Sequence, residues 1–141
     1  MLDSLYNTDI LTLSAGLKNT RLETPDASVR KVAKLCGSWV EFDVIMDGDV
    51  VNDFALRVQA CALGQASAAI LQEGIIGASL EELTEARDSL RAMLKDGGDP
   101  PTGRFEKLAL LKGVASYPAR HGSTLLAFEA AVEAVKMALA A

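Results

Sequence analysis

Two cysteines and one histidine are the groups in this 141-residue chain best suited to nucleophilic, soft-metal or proton-transfer chemistry. Cys61 stands in Gln59-Ala60-Cys61-Ala62-Leu63-Gly64, where a strand pattern gives way to an alanine-rich helix pattern. A thiol at a helix start faces unpaired N–H groups and the positive end of the dipole, and both favour the thiolate. The small neighbours Ala60, Ala62 and Gly64 leave room around the sulfur. Cys36 stands in Lys34-Leu35-Cys36-Gly37-Ser38, where Gly37 permits a turn or a close backbone approach. Arg30, Lys31 and Lys34 are near it in sequence and favour a thiolate. For both cysteines a second reading stands beside the reactive one: inert packing, with Cys36 a core cysteine beside a bulge.

The third locus is Tyr117-Pro118-Ala119-Arg120-His121-Gly122-Ser123-Thr124. Ser123 or Thr124 is expected to cap the helix that follows. His121 reads as a surface residue, with a metal ligand or proton carrier as alternatives. Arg120 suits an anion or an acidic partner. The chain has no Gly-rich phosphate loop, no Cys-x-x-Cys pair and no His-Glu-x-x-His helix. No serine has a histidine at a spacing that suggests a nucleophile and its base.

These loci need elements to hold them. Leu5, Tyr6, Ile10, Leu11, Leu13 and Leu17 predict an amphipathic helix, with Asn7-Thr8-Asp9 as a break and Gly16 near the end. Residues 20–30 read as a loop. Val40, Phe42, Val44 and Met46 alternate with Glu41, Asp43 and Ile45, then Asp47-Gly48-Asp49 turns the chain, and Phe54, Leu56 and Val58 return as a strand. A third strand is expected within 28–35. Helices are expected over about 65–73, from Ser79 to about Lys95 with Ser79 and Glu82 at capping-box spacing, over Phe105–Leu111, and over Ser123–Leu139. This order predicts one α+β domain over 1–141, a three-stranded antiparallel sheet with helices on one face.

Composition narrows the function. Apolar residues make up 50% and charged residues 23%, so disorder is excluded as the main state. Fourteen basic against nineteen acidic residues give a formal charge of −5, a poor basis for nucleic-acid or anionic-membrane binding. No apolar run approaches a membrane span, and Met1-Leu2-Asp3-Ser4 does not open as a secretory signal. A cytoplasmic protein with reduced thiols is expected.

Taken together, Leu35-Cys36-Gly37, Val51-Asn52-Asp53-Phe54-Ala55, Ala60-Cys61-Ala62-Leu63-Gly64-Gln65-Ala66-Ser67-Ala68, Tyr117-Pro118-Ala119-Arg120 and Leu125-Leu126-Ala127-Phe128 resemble the NifU/IscU-type iron–sulfur cluster scaffold family, in particular its SufU-like branch. The segments 90–95 and 108–114 resemble the insertion of that branch. The resemblance implies the IscU/NifU N-terminal-domain fold. It implies a protein that collects iron, and sulfur from a cysteine desulfurase, to build a [2Fe–2S] cluster for client proteins. Some SufU-like members bind zinc and mainly accept sulfur. The family's ligand set is three cysteines and an aspartate. Cys36 and Cys61 match the first two cysteines, with Gly37 and Arg120 in supporting positions. Ser38 stands where the aspartate is expected and Ser123 where the third cysteine is expected. A hydroxyl is a poor ligand beside thiolates. His121 is a candidate replacement, and two chains could instead pool their thiolates in a homodimer. Lys18-Asn19-Thr20-Arg21 replaces the basic segment that often follows the family's first helix. Three roles follow: scaffold or carrier for iron or a cluster, persulfide acceptor through Cys36 or Cys61, and a regulatory module with a degenerate site.

Overall fold

A computed structural model of the chain describes residues 7–35 and 37–141. Cys36, and Leu5 and Tyr6 of the expected first helix, lie outside the described residues. The first helix, α1, is Thr8–Ala15. Asn7 caps it by accepting from the Ile10 N–H at 3.1 Å, so the polar triplet opens this helix, and the part of the expected helix before the triplet lies outside the described residues. Strands β1 (Ala27–Val32), β2 (Trp39–Asp47) and β3 (Val50–Gln59) follow, then helices α2 (Ala62–Gly74) and α3 (Leu80–Asp96). A 3-10 stretch (Gly103–Ser116) and a short 3-10 turn (Pro118–Arg120) lead to α4 (His121–Ala140).

The sheet is antiparallel in the order β1-β2-β3. Gly48 and Asp49 form the turn between β2 and β3, as expected, and the register slips between Ile45 and Met46. β1 begins inside the segment expected to be loop and stops at Val32, short of the expected end. The reason is local: the Ala33 N–H donates to the Ser38 carbonyl at 2.8 Å and the Gly37 N–H to the Ala33 carbonyl at 2.9 Å. Those bonds close a tight loop, and Gly37 takes φ +70° there.

The alternating residues Val40, Phe42 and Val44 of β2, with Leu56 of β3, are buried. Helix α4 packs on the sheet, and α2 and α3 pack on α4. α4 is apolar around most of its girth, with Leu125, Phe128, Val132 and Val135 fully buried or nearly so, which suits a helix enclosed by neighbours. Phe105 of the 3-10 stretch meets Phe128 edge-on at 5.3 Å between ring centroids. The expected capping box is present at Ser79 and Glu82. The short helix expected over Phe105–Leu111 is part of a longer 3-10 stretch over 103–116, kinked at Phe105. Arg104 holds it in place by donating to the carbonyls of Gly74 and Ile76 and to Glu82.

On the opposite face of the sheet, Asp43 is only 2% exposed. It accepts from both terminal nitrogens of Arg57 at 3.0 Å, from Ser28 Oγ at 2.7 Å and from the Leu22 N–H at 3.1 Å. Arg57 also donates to Glu41 at 3.1 Å and to the Thr20 carbonyl. Burial alone would raise the Asp43 carboxyl, but the bonds from Arg57, Ser28 and Leu22 outweigh it and hold it below its ordinary value. Arg57 likewise holds Glu41 low. Strand alternation marks Asp43 as outward-facing and gives no sign that it is buried in a network.

Candidate functional site

Two helix starts and one loop meet at the end of the sheet where β3 hands over to α2. Cys61 is the N-cap of α2, with extended backbone (φ −65°, ψ 171°), and its side chain makes no capping hydrogen bond. The position expected from the sequence is therefore present, with the sulfur free to turn elsewhere. Its Sγ lies 3.6 Å from Ser123 Oγ in the first turn of α4. The two helices come this close because residue 64 is glycine. A Cβ there would stand 2.7 Å from Ala60 Cβ and 3.1 Å from the Ser123 carbonyl oxygen. α1 braces the same corner, since Ser14 Oγ donates to the Ala62 carbonyl at 2.8 Å.

A shallow depression of about 260 Å³ opens beside the sulfur. Gly37, Ser38, Gln59, Ala60, Cys61 and Arg120 line it. The loop that carries Cys36 in sequence thus reaches the depression through Gly37 and Ser38. Arg30 and Lys31 are committed elsewhere. Arg30 pairs with Glu41 and lies 4.5 Å over the Trp39 ring, and Lys31 pairs with Glu133 of α4.

The third locus differs from expectation. His121 is the first residue of α4 and is 6% exposed, so the surface reading is corrected. Its Nε2 lies 3.1 Å from the Val114 carbonyl and 3.2 Å from the Ala115 carbonyl, so that nitrogen carries the proton and donates. Only Nδ1 remains for a metal. Ser123 and Thr124 do not cap the helix. Both hydroxyls donate backward to the Arg120 carbonyl, at 3.3 and 2.8 Å. Sequence spacing cannot separate these uses, because an N-terminal serine serves either equally well.

The donor set can be set against what a metal or cluster requires. Among the described residues, no three His, Cys, Asp or Glu side chains gather to hold a metal ion. Beside the Cys61 sulfur stands a hydroxyl, and iron and zinc in sulfur-rich sites prefer thiolate. The described residues of one chain do not close a four-ligand site.

The fold and this corner can be compared with known proteins. A crystal structure of the N-terminal part of a NifU-like protein from Brucella abortus superposes with a TM-score of 0.95 at 41% identity, over 99% of this chain and 97% of that one. This chain belongs to the NifU/IscU family of iron–sulfur cluster assembly scaffolds. Within the family, the IscU scaffold protein of Thermotoga maritima is 29% identical over 94% of this chain and 93% of its own length. The IscU scaffold protein of Streptococcus pyogenes is 31% identical over 72% of this chain, and that match spans 64% of its length. The SufU protein of Bacillus subtilis, named a zinc-dependent sulfurtransferase, is 23% identical over 92% of this chain. No family model matches the chain. The NifU/IscU fold expected from the resemblance is the fold observed, and none of its described helices is long and apolar enough to cross a membrane.

Proposed function

We propose that this chain is an iron–sulfur cluster scaffold or carrier that holds iron or a [2Fe–2S] cluster as cargo on Cys36 and Cys61. The observation that carries the reading is the depression at the sheet end, where the Cys61 turn and the Gly37–Ser38 loop line one opening. Its proposed partners are a cysteine desulfurase as sulfur source, client proteins as acceptors, and a second copy of the chain. Two thiolates per chain become four when two chains meet, the number a cluster is commonly bound by. The cytoplasm, which keeps both thiols reduced, is the proposed setting. In this reading Gly37 shapes the loop and Arg120 offers a positive charge to an anionic cargo. If His121 contributes, it does so through Nδ1.

The test is the iron, zinc and acid-labile sulfide content of protein purified without oxygen, together with its mass in solution. Iron and sulfide in equal amounts, absent from C36S and C61S and accompanied by a dimer, are expected. Zinc alone at about one per chain would replace this with the sulfur-acceptor role suited to zinc-thiolate chemistry. Iron and sulfide retained in both serine variants would place the cargo elsewhere and sink the reading.

A further inference from the structure

The buried stripe of α4 outruns the core. Phe128, Val132 and Val135 are fully buried, but Leu139, one turn further along the same face, is 40% exposed. The last turn of α4 and the first turn of α3 line one open groove of about 590 Å³, beside the β2–β3 turn. Leu80 and Leu139 give it apolar surface, and Asp49, Glu81 and Glu85 edge it with carboxylates. No lysine or arginine lines it. Among the described residues, none of the three carboxylates stands in an ion pair. Glu82 shows the contrast, since Arg104 donates to it at 3.0 Å. Apolar surface inside an uncompensated acidic rim selects an occupant that is both apolar and positively charged. Residues 1–6 contain Asp3 and no lysine or arginine, so they do not match that rim. A second copy, at a formal charge of −5, is repelled by it.

We propose that this groove docks a basic amphipathic helix of a partner protein. Its apolar side chains rest on Leu80 and Leu139, and its lysines or arginines meet Asp49, Glu81 and Glu85. Helices held in grooves place their apolar anchors at i, i+3, i+4 and i+7, which leaves the flanking positions for charge. The groove and the Cys61 depression lie at opposite ends of β3, whose 10 residues span about 30 Å. A partner held here therefore leaves the sulfur uncovered, and docking does not depend on what Cys61 carries.

The probe is a fluorescein-labelled peptide of leucine and lysine, about 15 residues long so that it can form a helix, with its leucines on one face. Fluorescence anisotropy with the full chain is expected to show binding that weakens as salt rises. A peptide of the same composition with its leucines scattered around the helix is expected to bind roughly tenfold more weakly. E81Q with E85Q is expected to weaken binding roughly three- to tenfold. E23Q with E106Q removes the same charge from exposed positions elsewhere and is expected to leave binding at the parent value. L139S is expected to weaken it roughly tenfold at an unchanged melting temperature. On titration, backbone amide shifts are expected to cluster at Asp49, Leu80, Glu81, Glu85 and Leu139. No binding by the parent, equal losses in the two glutamine pairs, equal binding of the scattered peptide, or amide shifts clustered elsewhere would overturn the proposal. A parent that is dimeric without cargo and monomeric as L139S would give the groove to a second copy and overturn it too. If L139S does not fold, the glutamine pairs and the amide shifts decide.

Discussion

The polar cluster on the outer face of the sheet and the one at its end are built in opposite ways. Asp43 has four hydrogen bonds of 2.7–3.1 Å from three residues, among them a two-pronged grip by Arg57. Among the described residues the Cys61 sulfur has one hydrogen-bonding contact, at 3.6 Å, to a hydroxyl with another acceptor in reach. A fully satisfied cluster can only lose by changing state. A sparsely satisfied one can exchange a proton for a metal or a second sulfur at little cost to the fold. Density of hydrogen bonding thus separates the part that holds the sheet to the 20–26 segment from the part open to chemistry.

The contrast breaks most sharply by removing each centre. C61S is expected to abolish iron and sulfide loading while leaving the melting curve close to the parent's, as read by elemental analysis and calorimetry. R57A should do the reverse. With side chains only 13% and 3% exposed, Arg57 and Asp43 form a buried pair, and leaving Asp43 unpaired costs about 3 kcal/mol in denaturant unfolding. Loading of the folded fraction should survive. A fold that tolerates R57A as well as C61S would erase the distinction between the clusters.

Finer tests follow. G64A puts a methyl group against Ala60 and the Ser123 carbonyl and should cost about 1–3 kcal/mol in denaturant unfolding. In acid, the sign is set by the lowered carboxyls of Asp43 and Glu41. Their stabilisation is complete above the unfolded values near about pH 4 and is lost as pH falls through the lower folded values. R57A should therefore begin acid unfolding at a higher pH than the parent, seen by far-ultraviolet circular dichroism. S79A removes the capping box of α3, remote from both clusters, and should cost about 1 kcal/mol with no change at Cys61.

Much of the frame was legible from residues 40–58 and 79–96, where period-two alternation and a Ser-to-Glu cap leave few alternatives. β1 was harder to bound, because it ends in the backbone bonds of Ala33, Gly37 and Ser38, which no side-chain pattern announces. The Cys61 turn was readable because a change of period and a cysteine coincide there. His121 and Ser123 were not, since their uses depend on the Val114, Ala115 and Arg120 carbonyls, and nothing in residue type says which carbonyl a hydroxyl or imidazole will meet. The Asp43 network is hidden from the sequence for the same reason. Its partners come from segments 14–21 residues away, brought together by strand register.

The approach of α2 and α4 at Gly64 also bears on how such a chain changes over generations. Ser123 sits where the resemblance puts the family's third thiol, and its side chain is buried and close to the Cys61 sulfur. Serine and cysteine differ by one atom. The core around α4 need not be repacked for the chain to move between a two-thiol and a three-thiol version of itself. That makes the number of thiols a heritable setting reached by a single-codon step, with the architecture held constant on either side of it.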